Sequence, residues 1–378
     1  MLRRPSLWLA LYFVFLATGV VVLSADTQPG PGVEYLHEER PAGPWQIHVI
    51  KIDRTRTDLA IITTLAKGTV QGLDTLSEQV KDILPALGKP VAAVNADFYW
   101  LNPGPYQGDP CGLHIVQGEL VSAPVTGRPG FWIDAAGKLR IGQIQPKLSV
   151  TWPNGTTTAI GLNELRNDNA AVLYTPTLGP TTRTPDGRDV FLERDGKTPW
   201  LPLKAGQTCT ARVRSVVDGR NSALSPDIMI LSLGPDLLDK VPEVHAGDIL
   251  TISTQTVPDL TNVATAIGGG PILLAQGKQS EWPGDQPRHP RTAIGWNDAT
   301  FFLVVVDGRQ ANSVGMSFPE LAELMSQLGC TDALNLDGGG SSTMWLSGRV
   351  VNSPSGGSER ALANALVVVR TAEKKEPD

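Results

Sequence analysis

The chain is short of cysteine, histidine and aromatic residues, and each shortage removes a class of protein. Of 378 residues only Cys111, Cys209 and Cys330 are cysteines. They are far apart and odd in number, so they form neither a disulfide framework nor a zinc-type spacing, and leave one bridge open as an option. The five histidines (His37, His48, His114, His245, His289) are scattered, without a short-spaced metal pair or a His-Glu-x-x-His helix. No lysine follows a glycine-rich loop, and neither Gly-x-Ser-x-Gly nor Ser-x-x-Lys occurs. Nucleotide hydrolases of the P-loop type, elbow serine hydrolases and penicillin-binding acylases are therefore excluded as obvious readings.

Basic residues are also in the minority, 32 against 38 acidic ones. Two of them, Arg3 and Arg4, precede an apolar run from Leu7 to Leu23 and the small residues Ser24 and Ala25. Residues 1–25 thus read as a signal peptide, or as an N-terminal anchor if uncleaved. Removing them leaves 30 basic and 38 acidic residues. That balance argues against nucleic acid and against an anionic membrane surface, both of which need a basic face. No second long apolar run follows. The expectation is a secreted, periplasmic or cell-surface protein that meets a membrane only through its N-terminal helix.

What the chain has in quantity is turn residues, 39 Gly and 30 Pro, with 41% hydrophobic content to build a core. Residues 26–44, rich in Pro and Gly, read as a linker, and 371–378 as a charged, disordered tail. Between them, 45–370 reads as one domain. Trp45 to Ile52 alternates apolar and polar as a half-buried strand, and Val91 to Val94 reads as a buried one. Leu73 to Leu87 reads as a helix, with a capping box at Thr75–Glu78 and Gly88 as terminator. The middle, 113–260, is a series of short strand candidates between Gly, Pro and Asn-Gly turns. Arg291–Trp296 and Phe301–Val306 are further strands, and Ser317-Phe318-Pro319-Glu320 caps a helix running to Leu328. A capped helix between buried strands suggests a crossover and some parallel pairing. The fold class is α+β: a β-rich single domain with a mixed sheet and a few helices packed on it.

The densest signal is Asn335-Leu336-Asp337-Gly338-Gly339-Gly340-Ser341-Ser342-Thr343, a buried strand ending in a carboxylate and breaking into glycines and hydroxyls. Consecutive glycines forfeit packing and add backbone entropy, so they belong where the chain turns sharply or meets a ligand closely. Backbone N–H groups of Gly338 to Ser341 in a concavity suit an anionic oxygen. Acids recur where apolar runs end: Asp97, Asp307, Asp337 and Glu359. Arg291, Arg309 and Arg360 accompany them, and acid with arginine can clamp a phosphate while supplying a proton donor or nucleophile.

Taken in order, several blocks resemble the phosphodiester glycosidase family. They are Asn95-Ala96-Asp97-Phe98-Tyr99, Gly268-Gly269-Gly270-Pro271, Pro290 to Gly295, Val306-Asp307-Gly308-Arg309, Asn335 to Thr343, and Val351 to Pro354 with Glu359-Arg360 and Asn364-Ala365-Leu366. The resemblance implies cleavage of a sugar from a sugar-1-phosphodiester in an envelope or extracellular glycan. In that scheme Asp337 and Asp307, then Asp97 and Glu359, are the catalytic candidates. Arg291, Arg360, Arg309, Thr292, Asn95, Asn335, Gly338, Gly339, Gly340, Ser341 and Ser342 would hold substrate. No cofactor is required, and a bound calcium or magnesium is compatible. A non-catalytic anionic-glycan binder or export accessory, and a metal-dependent phosphodiesterase with Asp97, Asp307 and Asp337 as ligands, are the alternatives.

Overall fold

The computed structural model describes residues 20–22, 29–197 and 199–372; the leader reading of 1–25 falls mostly outside them, as does 373–378 of the tail. Among the described residues the outcome is a β-rich α+β fold of four sheets with two short α-helices. The first sheet has eight strands, in the spatial order Val20–Val22, Val33–Arg40, Trp45–Asp53, Thr300–Val306, Arg291–Trp296, Asp332–Asn335, Ile272–Ala275, Lys278–Gln279. The second has five, Arg349–Val350, Met344–Leu346, Lys89–Asn95, Ala365–Arg370 and Leu59–Thr63.

Side-chain alternation sets how these two sheets stack. From the first, Ile50, Ile52, Ile294, Leu303, Val305 and Leu334 face one core, shared with Ala92, Val94, Met344, Leu366 and Val368 of the second. The opposite face of the first sheet (Val49, Ala293, Val304, Ala333) packs on Leu321, Ala322, Leu324 and Met325 of the helix Phe318–Gln327. The outer face of the second (Ala93, Val367, Val369) takes Leu76 and Val80 of the helix Leu76–Lys81. Two sheets thus lie face to face between two helices, and the ends of Lys89–Asn95 and Asp332–Asn335 meet at one edge of that sandwich. A third sheet, with Ala266–Gly268 and Pro129–Ile133, sends Phe131 and Ile267 into the same core and Ile115, Trp132 and Ala266 into a second one. That second core is shared with an eight-stranded sheet built from the turn-rich middle of the chain.

The helix Phe318–Gln327 has the full capping box at Ser317 and Glu320. It links Thr300–Val306 to Asp332–Asn335, which both run antiparallel to the strand Arg291–Trp296 lying between them. The crossover therefore joins two parallel but non-adjacent strands. Direct parallel pairing occurs elsewhere, between Gly161–Leu162 and Ala171–Tyr174.

Two local expectations are corrected. The segment 26–44 is not a linker throughout, because Val33–Arg40 pairs antiparallel with Trp45–Asp53 at every position. Its prolines and glycines sit at its two ends, where they make turns, and leave eight residues free to extend. The helix expected over 73–87 stops at Lys81, followed by a 3-10 turn Pro85–Leu87. Leu84 is extended (φ −61, ψ 133), as a residue preceding proline prefers. At the start of this helix Thr75 accepts the Glu78 N–H as expected, but the Thr75 N–H goes to Asp74 rather than to Glu78. All three cysteines are free thiols.

Candidate active site

Where the two central sheets meet, the chain leaves one strand at Ala96–Asp97 and the other at Leu336–Asp337. The Asp337 N–H donates to the Ala96 carbonyl at 2.9 Å, which sets these two carboxylate-bearing segments side by side. Asn95 ties the junction together: its amide donates to the Asp337 carbonyl (2.6 Å), while its Oδ1 accepts from Thr292 Oγ1 (2.7 Å) and the Thr343 N–H (3.1 Å). Asn335 does the same for the neighbouring loop, donating to the Gly270 carbonyl at 2.7 Å. Both asparagines spend these bonds on framework rather than on solvent.

Asp97 is 2% exposed. Its Oδ1 accepts from the Phe98 N–H (2.8 Å) and from Arg128 Nη2 (2.9 Å), and its own N–H donates to Asn364 Oδ1 (2.8 Å). Oδ2 is buried without a partner, against the backbones of Gly112 and Gly268. Burial pushes this carboxyl up to about 7; Arg128 and the Phe98 N–H oppose the rise, and nearby Asp337 adds to it. Asp337 is half-buried and is also raised, first by desolvation, with Ser341, the Gly338 N–H, Arg360 and Arg128 opposing. Two neighbouring carboxyls that both resist ionisation, with guanidinium groups beside them, are suited to holding and passing a proton.

The triple glycine serves a different end from the one expected. Three of the N–H groups proposed for an anion are already engaged: Gly338 with Asp337 Oδ1 (2.8 Å), Gly339 with the Pro290 carbonyl (2.8 Å), and Ser341 with the Gly338 carbonyl (3.2 Å). The glycines instead let side chains lie on the backbone. A Cβ on Gly340 would stand 2.6 Å from Arg360 Cζ, and one on Gly339 (φ +63) 3.1 Å from Arg309 Nη2. Arg360, exposed, also donates to Ser341 Oγ at 3.3 Å. Ser342 is buried, with no partner for its hydroxyl.

Three candidates sit apart from this pair. Asp307 is buried, and its carboxylate accepts from Asn352 Nδ2 (2.9 Å) and the Ser353 N–H (3.0 Å), with His48 Nε2 at 3.3 Å. Asn352 also donates to the Ser342 carbonyl (3.1 Å) and so links Asp307 to the motif. Burial holds the His48 ring below its ordinary pKa, against the pull of Asp307. Glu359 accepts from the Ser77 N–H (2.9 Å) and hydroxyl (2.6 Å) in the first turn of the helix Leu76–Lys81. Arg291 lies on the opposite sheet face from Thr292. It donates to the Met316 (2.8 Å) and Pro287 (3.0 Å) carbonyls and packs 4.0 Å over the Phe318 ring. Arg309 stays on the rim beside His289 (3.3 Å). Among the described residues, no three His, Cys, Asp or Glu side chains are placed to hold a metal ion.

Arg128 and Asn364 each stand just before a strand, Pro129–Ile133 and Ala365–Arg370, not at the carboxyl end where the acids are expected, and Asn364 enters the sequence reading only as part of a resembling block. Arg128 follows a plain Val125–Gly127 turn, and only the tertiary contact reveals its partner. Among the described residues, no helix is long and apolar enough to cross a membrane.

Comparison with known proteins agrees with this architecture. An 89% portion of the chain superposes on 62% of a protein from Synechocystis (TM-score 0.72, 20% identity). A similar superposition covers 86% of the chain and 74% of a Burkholderia pseudomallei K96243 protein described as exported (TM-score 0.66, 24% identity). Both show the shared fold. In sequence, 92 residues are 37% identical to the SPbeta prophage-derived uncharacterized protein YomE of Bacillus subtilis (strain 168), a match spanning 24% of this chain and 14% of that one. The chain thus aligns with a small part of that relative and with under two thirds of the Synechocystis protein. Residues 210–369, which carry Arg291, Asp307, Asp337 and Arg360, match the family model described as phosphodiester glycosidase.

Proposed function

We propose that the chain is a hydrolase that cleaves a sugar from a sugar-1-phosphodiester, with Asp97 and Asp337 as its reacting pair. One observation carries this reading: two carboxyls from different sheets, both raised in pKa, are joined through the Asp337–Ala96 hydrogen bond and flanked by Arg128 and Arg360. The family match over residues 210–369 supports the bond type.

In this scheme Arg360, with its guanidinium on the Gly340 backbone, and Arg128 hold the diester's negative charge. Asp97, still partly protonated at neutral pH, gives its proton to the departing ester oxygen. Asp337 as carboxylate faces the positive charge that develops at the anomeric carbon. Water then adds to that carbon and returns its proton to Asp97. The products are free sugar and a phosphomonoester. A phosphate ester is already a competent leaving group, so the larger task is binding an anion in a net acidic protein. The scheme calls for no metal, since the Asp307 carboxylate is committed to Asn352 and Ser353 and does not join the other two acids.

An extracellular or envelope glycan is the substrate class we favour, on the strength of the leader-like N-terminal sequence. Incubation with a panel of sugar-1-phosphodiesters tests the bond. Free sugar plus phosphomonoester is expected; sugar-1-phosphate plus alcohol means a phosphodiesterase, and binding without turnover means a glycan-binding protein. Asp337→Asn, folded by circular dichroism, should lose at least a hundredfold in kcat. Full activity in that variant removes the scheme, and loss in EDTA restored by calcium replaces it with a metal-dependent one.

A further inference from the structure

The segment leaving Asp97 carries an unused aromatic surface. Phe98-Tyr99-Trp100 runs extended against Gly108–Cys111: the Cys111 N–H donates to the Phe98 carbonyl (2.8 Å), the Trp100 N–H to the Asp109 carbonyl (2.8 Å), and the Gly108 N–H to the Trp100 carbonyl (2.9 Å). Tyr99 points into the core of Leu76, Val80 and Trp345, with its hydroxyl on the Ala361 carbonyl at 2.7 Å. Side chains alternate along an extended chain, so Phe98 and Trp100 face the other way. Phe98 stays beside Asp97, because Arg128 lies 5.4 Å over its ring while donating to that carboxylate.

Trp100 is 50% exposed and Leu101 beside it 54%. Val125, 43% exposed, comes from the turn closed by the Arg128 N–H to the Val125 carbonyl (3.0 Å). These apolar groups therefore stand on the two segments that carry Asp97 and its cation. Three residues of chain place the Trp100 Cα within about 11 Å of that of Asp97. The hairpin is held at its tip, with the Tyr106 hydroxyl on the Thr182 carbonyl (2.5 Å) and Arg183 Nη1 on the Pro105 carbonyl (2.9 Å). An indole half in water on an anchored hairpin is of little use to the core. It combines a broad apolar face with one N–H donor, which matches a ligand having an apolar face and hydroxyl edges.

We propose that Trp100 is a stacking platform for a neutral pyranose ring of a glycan chain, one sugar beyond the bond at Asp97 and Asp337. The position of that ring rests on the hydrolase reading above; the stacking itself does not. The platform would favour glycan-linked phosphodiesters over short ones.

The test uses the full chain with Trp100→Ala and Trp100→Phe, and one sugar-1-phosphate esterified either to methanol or to cellotetraose. Trp100→Ala should lower the ratio of kcat/KM for the cellotetraose ester over the methyl ester about tenfold, through KM, and Trp100→Phe should recover most of it. An unchanged ratio overturns the proposal. Calorimetry with cellotetraose alone separates the two readings: if no phosphodiester is cleaved, the hydrolase scheme fails, yet tenfold weaker binding in Trp100→Ala than in the parent chain keeps the platform. Equal binding in both chains, or binding in neither, sinks it.

Discussion

Gly268 has no side chain because the Asp97 carboxylate occupies its place: a Cβ there would overlap Oδ2 and lie 2.7 Å from Cγ. The contact comes from the third sheet, so the site is shaped by three sheets although its two acids come from two. Gly268→Ala must displace a buried carboxyl that has little room to move. A cost of about 1–3 kcal/mol is expected, as for overpacking in a close-packed interior. Activity should fall further than stability does, at least tenfold in kcat. Thermal melts and kinetics on the same preparation check this, and wild-type kcat in a folded Gly268→Ala protein contradicts it.

Asp97 should also write its signature on stability. Its pKa rises from the ordinary 3.8 to about 7 on folding, chiefly through burial. The folded state therefore keeps a proton that the unfolded chain has already released, and stability falls as pH rises between those values. Other partly buried acids, including Asp337 and Glu164, tilt the curve in the same direction. The difference between wild type and Asp97→Asn isolates the one residue. Denaturant midpoints from pH 4 to pH 8 should fall less steeply in Asp97→Asn; parallel curves would mean that Asp97 titrates normally.

Arg128 is the strongest influence holding the Asp97 carboxyl down against burial. Replacing it with methionine keeps much of the packing on Phe98 and removes the charge. The proton on Asp97 should then be held to higher pH, so the alkaline limb of kcat/KM moves upward from about 7. A limb that stays in place while kcat falls would assign Arg128 to substrate alone, with no effect on Asp97.

How much of this was legible beforehand depended on how local the determinant was. The strand Arg291–Trp296 and the helix Phe318–Gln327 announce themselves through alternation and a capping box, which are written in adjacent residues. Turn residues at its two ends hide the strand Val33–Arg40, and the apolar spacing after Thr75 runs on past Lys81, where Pro85 and the extended Leu84 before it end the helix. The site was harder. Asp97, Asp307, Asp337 and Glu359 look alike as acids at the ends of apolar runs, yet two converge and two hold framework bonds. Arg291 and Thr292 differ by one position and face opposite sides of a sheet. Nothing in a single sequence states which face pairs with what. Arg128 finds Asp97 across a turn of an ordinary loop kind.

Glu359 gives the sharpest test of that separation. Its carboxylate takes the Ser77 N–H and hydroxyl at the start of the helix Leu76–Lys81, where an anion satisfies an otherwise unpaired donor and faces the positive end of the helix. Losing such a contact costs about 1 kcal/mol in comparable helix starts. Glu359→Ala should therefore lower the melting temperature by about 1–2 °C, as expected for about 1 kcal/mol in a chain of this size. Its effect on kcat should be within a few fold, against the hundredfold loss expected for Asp337→Asn. Neighbouring Arg360 lies on the Gly340 backbone, so a small shift of that segment is the route by which any change in KM would arise. A hundredfold drop in kcat with an unchanged melt would return Glu359 to the chemistry and leave the Asp97–Asp337 assignment incomplete.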